Sequence, residues 1–284
     1  MKKTSNKLIV IIAAVTAVIC GIIRFFQITS LTDLNTGWFL KGSELGGILI
    51  YIALALSAAI FIVLAVVGAK KGDAAYSLSS DGMGSNATRF LGIAEFVGGL
   101  MIASEILGGS NKPIQIAAII VSALCLLISG FILLGRIVPP AVTGHLMLVC
   151  SLAFFLRTAS FFNSDLTVLN HAENLIVLLS YTAATFFFAS SARFYSRLET
   201  KSSRMREILA AGIAFLPSAA HTISDLLAML FGSEGAKQFA VLNMDIAAAA
   251  LISGTFLFVL FFTKKEKDII PLADEEENSK KKKE

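Results

Sequence analysis

Long apolar runs constrain this chain more than any other feature of its sequence. Because an α-helix rises 1.5 Å per residue, a run of roughly 17 to 25 apolar residues matches the hydrocarbon core of a bilayer. About eight such runs occur, so the sequence predicts an all-α integral membrane protein with about eight transmembrane helices. The predicted spans are Leu8–Phe26, Leu45–Ala69, Phe90–Gly108, Pro113–Gly135, Val138–Phe162, Asn174–Ala192, Ile208–Phe231 and Phe239–Thr263.

The composition agrees with a chain that lives in a lipid bilayer. Hydrophobic residues make up 56% of it and charged residues only 15%, a balance outside the range of soluble domains. The net charge of +4 is small, and no basic patch is interleaved with aromatic residues, so no nucleic-acid partner is expected. Cys20, Cys125 and Cys150 each lie in an apolar run without a CxxC partner, and we interpret them as small buried residues.

Basic residues favour one side of an eight-span topology. The opposite side holds only Arg24, Lys41, Lys112, Arg157 and Lys237. The positive-inside rule therefore predicts that both termini are cytoplasmic, and we expect a bacterial plasma membrane. The basic residues on the predicted cytoplasmic side are Lys2, Lys3, Lys7, Lys70, Lys71, Arg89, Arg136, Arg193, Arg197, Lys201, Arg204, Arg206, Lys264, Lys265 and Lys267.

The two ends of the chain need separate interpretation. The basic start followed by an apolar run imitates a signal peptide, but Ile19 before Cys20 fits a lipoprotein cleavage site poorly. We therefore expect an uncleaved first helix. Residues 265–284 are charged and low in complexity, which predicts a disordered cytoplasmic tail.

Short matches recur in the same order in the two halves of the chain. Ser104-Glu105-Ile106-Leu107 parallels Ser224-Asp225-Leu226-Leu227, and Leu127–Gly130 parallels Leu251–Gly254. These matches predict two parallel four-helix repeats, residues 1–136 and 137–264, related by a pseudo-twofold axis along the membrane normal. The alternative is chance similarity between apolar helices of biased composition.

A polar stripe interrupts the seventh apolar run. Ser218, His221, Thr222 and Asp225 have helical spacing and share one face, just after Pro217. A histidine and a carboxylate within an apolar span are unfavourable unless another group faces them. Proline in this position predicts a kink beside a cavity, although packing alone also explains it.

Counting along the spans places five charged residues at one depth, in the extracytoplasmic third of the membrane. They are Arg24, Glu105, Arg157, Asp225 and Asp245, whereas Glu95 stands alone near the cytoplasmic side. Arginines and carboxylates at one depth are expected to pair. We predict ion pairs between Arg24 and Asp225 and between Arg157 and Glu105, with pairing inside each half as the alternative.

Two functions fit this charged layer. The leading hypothesis is an outward-facing polar pocket for binding or transport, in which the arginines bind a small polar or anionic solute. In the alternative, the protein is structural or sensory and the ion pairs are architectural. The predicted substrate-binding residues are Arg24, Glu105, Arg157, Ser218, His221, Thr222, Asp225 and Asp245.

No sequence motif indicates an enzyme. His221 and Asp225 have the spacing of two metal ligands, but no HExxH accompanies them. His145 and His171 do not match in depth, which argues against a haem with two histidine ligands. We therefore expect no cofactor, no metal and no catalytic residues.

Overall fold

The computed structural model describes residues 2–33, 39–42, 44–70, 85–108, 112–135, 141–165, 174–196, 203–240 and 242–262. Short single turns follow α1 and α3, at Gln27–Leu31 and Glu105–Gly108. The predicted tail, residues 265–284, lies outside the described residues. The helices are α1 Lys2–Phe26, α2 Glu44–Lys70, α3 Ser85–Ser104, α4 Pro113–Leu134, α5 Ala141–Asp165, α6 Asn174–Tyr195, α7 Ser203–Phe231, α8 Glu234–Phe239 and α9 Met244–Phe262.

Seven helices, α1 to α7, are long and apolar enough to cross a membrane. Each coincides with one of the first seven predicted spans, and large apolar side chains such as Leu56, Phe131 and Phe186 lie exposed on their outer faces. A face of this kind is stable in lipid and unfavourable in water. The chain is therefore a polytopic, all-helical membrane protein.

The eighth predicted span begins later than the sequence pattern indicated. The short helix α8 ends at Phe239, and α9 starts at Met244, with an apolar stretch of Met244–Val259. The polar groups just before and inside the first turn explain the break, because the Asn243 carbonyl accepts from Ala247 and Asp245 Oδ1 accepts from the amide of Ile246. The count of eight spans therefore depends on α9 and stays a prediction.

The helices pack so that α7 lies beside α1, α2, α6 and α9, while α3 lies between α4 and α9. Aromatic rings of α5, α6 and α9 form the middle of the core, for example Phe187 against Phe256 at 5.5 Å between centroids. A twofold axis between the halves would relate α1 to α5 and α7 to α3. Since α1 packs against α7, α5 would then have to pack against α3. The main neighbours of α5 are instead α4 and α6, so the internal repeat stays a prediction.

Alternating helix directions give the bundle two ends. At one end of the bundle, α1, α3, α5 and α7 finish and α2, α4, α6 and α9 begin. We call this the far end. There the side-chain amide of Gln27, in the turn after α1, donates to the carbonyl groups of Gly46 and Gly47 in α2, at 2.8 and 2.9 Å. These hydrogen bonds connect the two helices. The opposite end, where α1 begins, is the near end.

Candidate functional site

Charged residues at the far end form two clusters. The first, the Arg157 cluster, consists of Arg157, Glu105, Asp245 and Tyr181. Arg157 Nη2 lies 2.8 Å from Glu105 Oε2, donates to the Tyr181 hydroxyl at 3.3 Å and forms an ion pair with Asp245. The guanidinium carbon also lies 5.2 Å from the centroid of the Tyr181 ring, a cation–π distance. Four helical segments are thus held at one point.

Helix ends position the two carboxylates of this cluster. Glu105 begins the single turn that follows α3, and Asp245 is the second residue of α9. The amide of Asp245 donates to Glu105 Oε1 at 3.0 Å, so a free amide at the start of α9 satisfies a carboxylate from α3. One buried arginine therefore faces two carboxylates through Nη2, while its Nη1 has no hydrogen-bond partner among the described residues.

The second cluster, the Arg24 cluster, consists of Arg24, Gln27, His221, Asp225 and Asn243, together with Ser218, which lies one turn before His221 on α7. Arg24 Nη1 lies 3.5 Å from Gln27 Oε1, at the limit of a hydrogen bond. His221 Nε2 lies 2.9 Å from Asn243 Nδ2 and 3.5 Å from Asp225 Oδ2. Arg24 is close enough to His221 to act on it electrostatically. Helices α1 and α7 carry most of these groups, and Asn243 joins them from the segment before α9.

Several polar atoms of the Arg24 cluster are buried without a hydrogen-bond partner in the described part of the chain. They are Arg24 Nε and Nη2, Ser218 Oγ and His221 Nδ1. Arg24 and Ser218 are 0% exposed, and His221 is 1% exposed. An unpaired buried donor loses its hydration without compensation, at a cost of about 1–3 kcal/mol and more for a charged group. Donor groups with capacity for a further hydrogen bond therefore lie in this cluster, together with the Asp225 carboxylate 3.5 Å from His221.

The structure divides the predicted site residues between the two clusters, except for Thr222, which belongs to neither. The predicted contact of Arg157 with Glu105 is present at 2.8 Å, and Asp245 joins it. Arg24 instead has Gln27 at its guanidinium, and its predicted pairing with Asp225 stays a prediction. Thr222 is used within its own helix, since its hydroxyl donates to the Ser218 carbonyl at 2.8 Å.

Three neutral residues of these clusters were not predicted from the sequence. Gln27 follows Arg24 by three positions, so it could have been found by its spacing from a charge. Asn243 could not, because its partner His221 lies 22 residues earlier, on α7. Tyr181 offers no such signal, because a tyrosine in a membrane helix is common and its partner Arg157 lies on another helix.

Within the described ranges, no three His, Cys, Asp or Glu side chains are grouped so that they could hold a metal ion. Comparison with known proteins adds no further assignment. No protein family, curated protein or solved structure matches this chain.

Proposed function

We propose that this polytopic membrane protein binds a small anionic solute at the Arg24 cluster and carries it across the membrane. The observation that supports this proposal is the buried guanidinium of Arg24, whose Nε and Nη2 have no hydrogen-bond partner among the described residues. These two atoms form one edge of the guanidinium group, the edge that binds a carboxylate or phosphate through two parallel hydrogen bonds.

Neighbouring groups add to the recognition of an anion. Ser218 and His221 are three residues apart on α7 and share a face. With Asn243 donating to His221 Nε2, the ring proton is on Nδ1, so that nitrogen is a donor. An anion at Arg24 would neutralise the buried positive charge and satisfy donors that are otherwise unpaired.

The architectural hypothesis fits the other cluster better. In the Arg157 cluster, both carboxylates contact the guanidinium, and one of them also accepts from a helix amide. Buried, hydrogen-bonded pairs of this kind lock helices in place. We therefore assign the Arg157 cluster a structural role and the Arg24 cluster the binding role. The charge bias of the sequence would place both clusters on the extracytoplasmic side.

Ligand-induced stabilisation tests this proposal. The purified protein is titrated with phosphate, sulfate, acetate, succinate and acidic amino acids while its thermal unfolding is recorded. An anion that binds only the folded state stabilises it by about 2.7 kcal/mol at a concentration one hundred times its Kd. We expect one anion class to raise the unfolding temperature and Arg24→Gln to abolish the shift. Uptake of that anion into proteoliposomes then tests transport.

A matched pair of serine variants separates binding from general stability. Ser218→Ala removes a donor of the cluster and should weaken anion binding about tenfold, because a hydrogen bond to a charged group contributes about 1.5–3 kcal/mol. Ser122→Ala, in α4, removes a buried hydroxyl that bonds only to its own helix and should leave binding unchanged. If no anion shifts the wild type, or if the shift persists in Arg24→Gln, the architectural hypothesis is preferred.

A further inference from the structure

A third buried polar group lies nearer the other end of the bundle, around Glu95 of α3. Glu95 is 1% exposed, and hydroxyl groups from two other helices donate to its two oxygens. Ser129 of α4 donates to Oε2, and Tyr195, the last residue of α6, donates to Oε1 at 2.7 Å. We call these three residues the Glu95 site. It is separate from both far-end clusters, since Glu105 follows Glu95 by ten residues along α3.

Close packing of two helix backbones builds the Glu95 site. At Gly130 of α4, an added Cβ would lie 2.6 Å from the Phe96 nitrogen and 2.7 Å from the Gly92 carbonyl oxygen. Only glycine allows α3 and α4 to approach this closely. Ser129, next to Gly130 in sequence, is thereby held against the Glu95 carboxyl group.

No cation faces Glu95 in the part of the chain that the structure describes, where no lysine, arginine or histidine nitrogen lies within 4.0 Å of it. Helix α4 presents Ser129 and Cys125, and α6 presents Tyr195. From α5, the nearby ionisable group is Cys150. The only charged residue of α9 is Asp245, at the far end. An ionised carboxylate in these surroundings has no positive partner, unlike Glu105 and Asp245.

We propose that Glu95 is a reversible proton-binding site within the membrane. In the protonated state, its Oε2–H donates to Ser129 Oγ and Tyr195 donates to Oε1. When the Oε2–H bond breaks, the proton is transferred to water, and both hydroxyl groups donate to the resulting carboxylate. Hydroxyl groups both donate and accept, so the same contacts fit both states. An arginine would fit only the ionised one.

Tyr195 relates the Glu95 site to the near end of the bundle. Tyr195 ends α6, and Ser196 contacts α5 at the near end through the backbone nitrogen that packs on Gly144. Tyr195 itself is 1% exposed, so its hydroxyl group is enclosed by protein. Its ligand is a proton, and the site does not depend on the anion proposed for the Arg24 cluster.

Two measurements on the full chain in membranes test this site. Dicyclohexylcarbodiimide adds to protonated carboxyl groups in apolar surroundings and is followed by peptide mass spectrometry between about pH 5 and pH 9. Labelling of the Glu95 peptide should fall about tenfold for each pH unit above its titration midpoint. Infrared difference spectra over the same range should show the carbonyl band of a carboxylic acid that disappears with increasing pH.

Matched variants assign these signals. Glu95→Gln should abolish both the label and the band. Glu207→Gln, which changes another buried glutamate that has Arg206 and Ser190 as partners, should preserve both. Ser129→Ala should keep the band but shift its frequency, because one hydrogen bond to the acid is lost. A band that is absent from the wild type over the whole range, or that is the same in Glu95→Gln, overturns the proposal.

Discussion

Two buried arginines at the far end of this protein occupy opposite electrostatic situations. Arg157 contacts two carboxylates and a tyrosine hydroxyl through Nη2, and only its Nη1 has no hydrogen-bond partner among the described residues. Arg24 has one amide oxygen at 3.5 Å and two nitrogens without a hydrogen-bond partner in the described residues. A buried charge is stable only when it is paired. The charge of the first arginine is balanced within the protein, and the second has capacity for a ligand.

Replacing Arg157 tests its structural role. Arg157→Met leaves Glu105 and Asp245 buried without their positive partner, so we expect the free energy of unfolding to fall by about 3–5 kcal/mol. Combining it with Asp245→Asn should recover part of the loss, because one uncompensated charge is removed as well. Denaturant titration of the purified protein in mixed micelles measures both effects.

Arg206→Met is the matched control for that experiment. Arg206 is partly exposed, its Nη2 lies 3.6 Å from Glu207 Oε1, and Glu207 keeps the hydroxyl of Ser190 as a donor, so removal of Arg206 should cost clearly less unfolding free energy than removal of Arg157. Equal losses in the two arginine variants would contradict a special role for the Arg157 cluster.

Charged residues could be predicted from the sequence much better than their neutral partners. Charge inside an apolar run is unfavourable, so Arg157 and Glu105 are conspicuous, and counting 1.5 Å per residue places them at one depth. Gln27, Tyr181 and Asn243 carry no such penalty. The acceptor that binds each arginine also depends on how its helix is rotated and on which helices lie next to it. Neither property can be calculated from the depth of the arginine in the membrane.

Polar residues determine where the apolar helix α9 begins, and small residues determine how closely α3 and α4 pack. The apolar pattern gave the first seven helices, because a continuous run leaves one stable conformation in lipid. It placed the start of the eighth too early, since it did not weigh Asn243 and Asp245 as the residues that begin α9. Helix neighbours were not predictable in the same way, because small residues at four-residue spacing occur on several faces.

The contact between α3 and α4 predicts a sharp difference between two glycines. Gly130→Ala would put a methyl group within 2.7 Å of backbone atoms of α3, which cannot move without separating the helices. We expect a loss of about 1–3 kcal/mol in unfolding free energy, as for overpacked cores. The Ser129 contact with Glu95 should weaken at the same time, and the infrared band of Glu95 should shift.

Gly135→Ala is the control in the same helix region. Its added Cβ would meet no atom closer than 3.9 Å, and its φ of −90° suits alanine. This variant should match the wild type in stability within about 0.5 kcal/mol. A destabilisation as large as that of Gly130→Ala would show that the backbone contact does not set the cost.

For the whole molecule, the topology depends on a single helix. With seven spans, the two termini would lie on opposite sides of the membrane, whereas an eighth span returns the chain to the side where it began. Helix α9 has 19 residues and is about 28 Å long, close to the roughly 30 Å of a bilayer core. It also packs between α3 and α7 and begins at the point where Asn243 and Asp245 touch the two clusters. A helix so placed is expected to cross.

Reporter fusions decide whether it does. Alkaline phosphatase, which is active only outside the cytoplasm, and green fluorescent protein, which fluoresces inside it, are each fused after Ser233 and after Ile270. Because Lys264, Lys265 and Lys267 follow α9 directly, the positive-inside rule predicts phosphatase activity at Ser233 and fluorescence at Ile270. Phosphatase activity at both positions would mean that α9 does not cross. Changing these three lysines to glutamine should weaken the fluorescence of the second fusion, because the bias that holds the tail inside is then reduced.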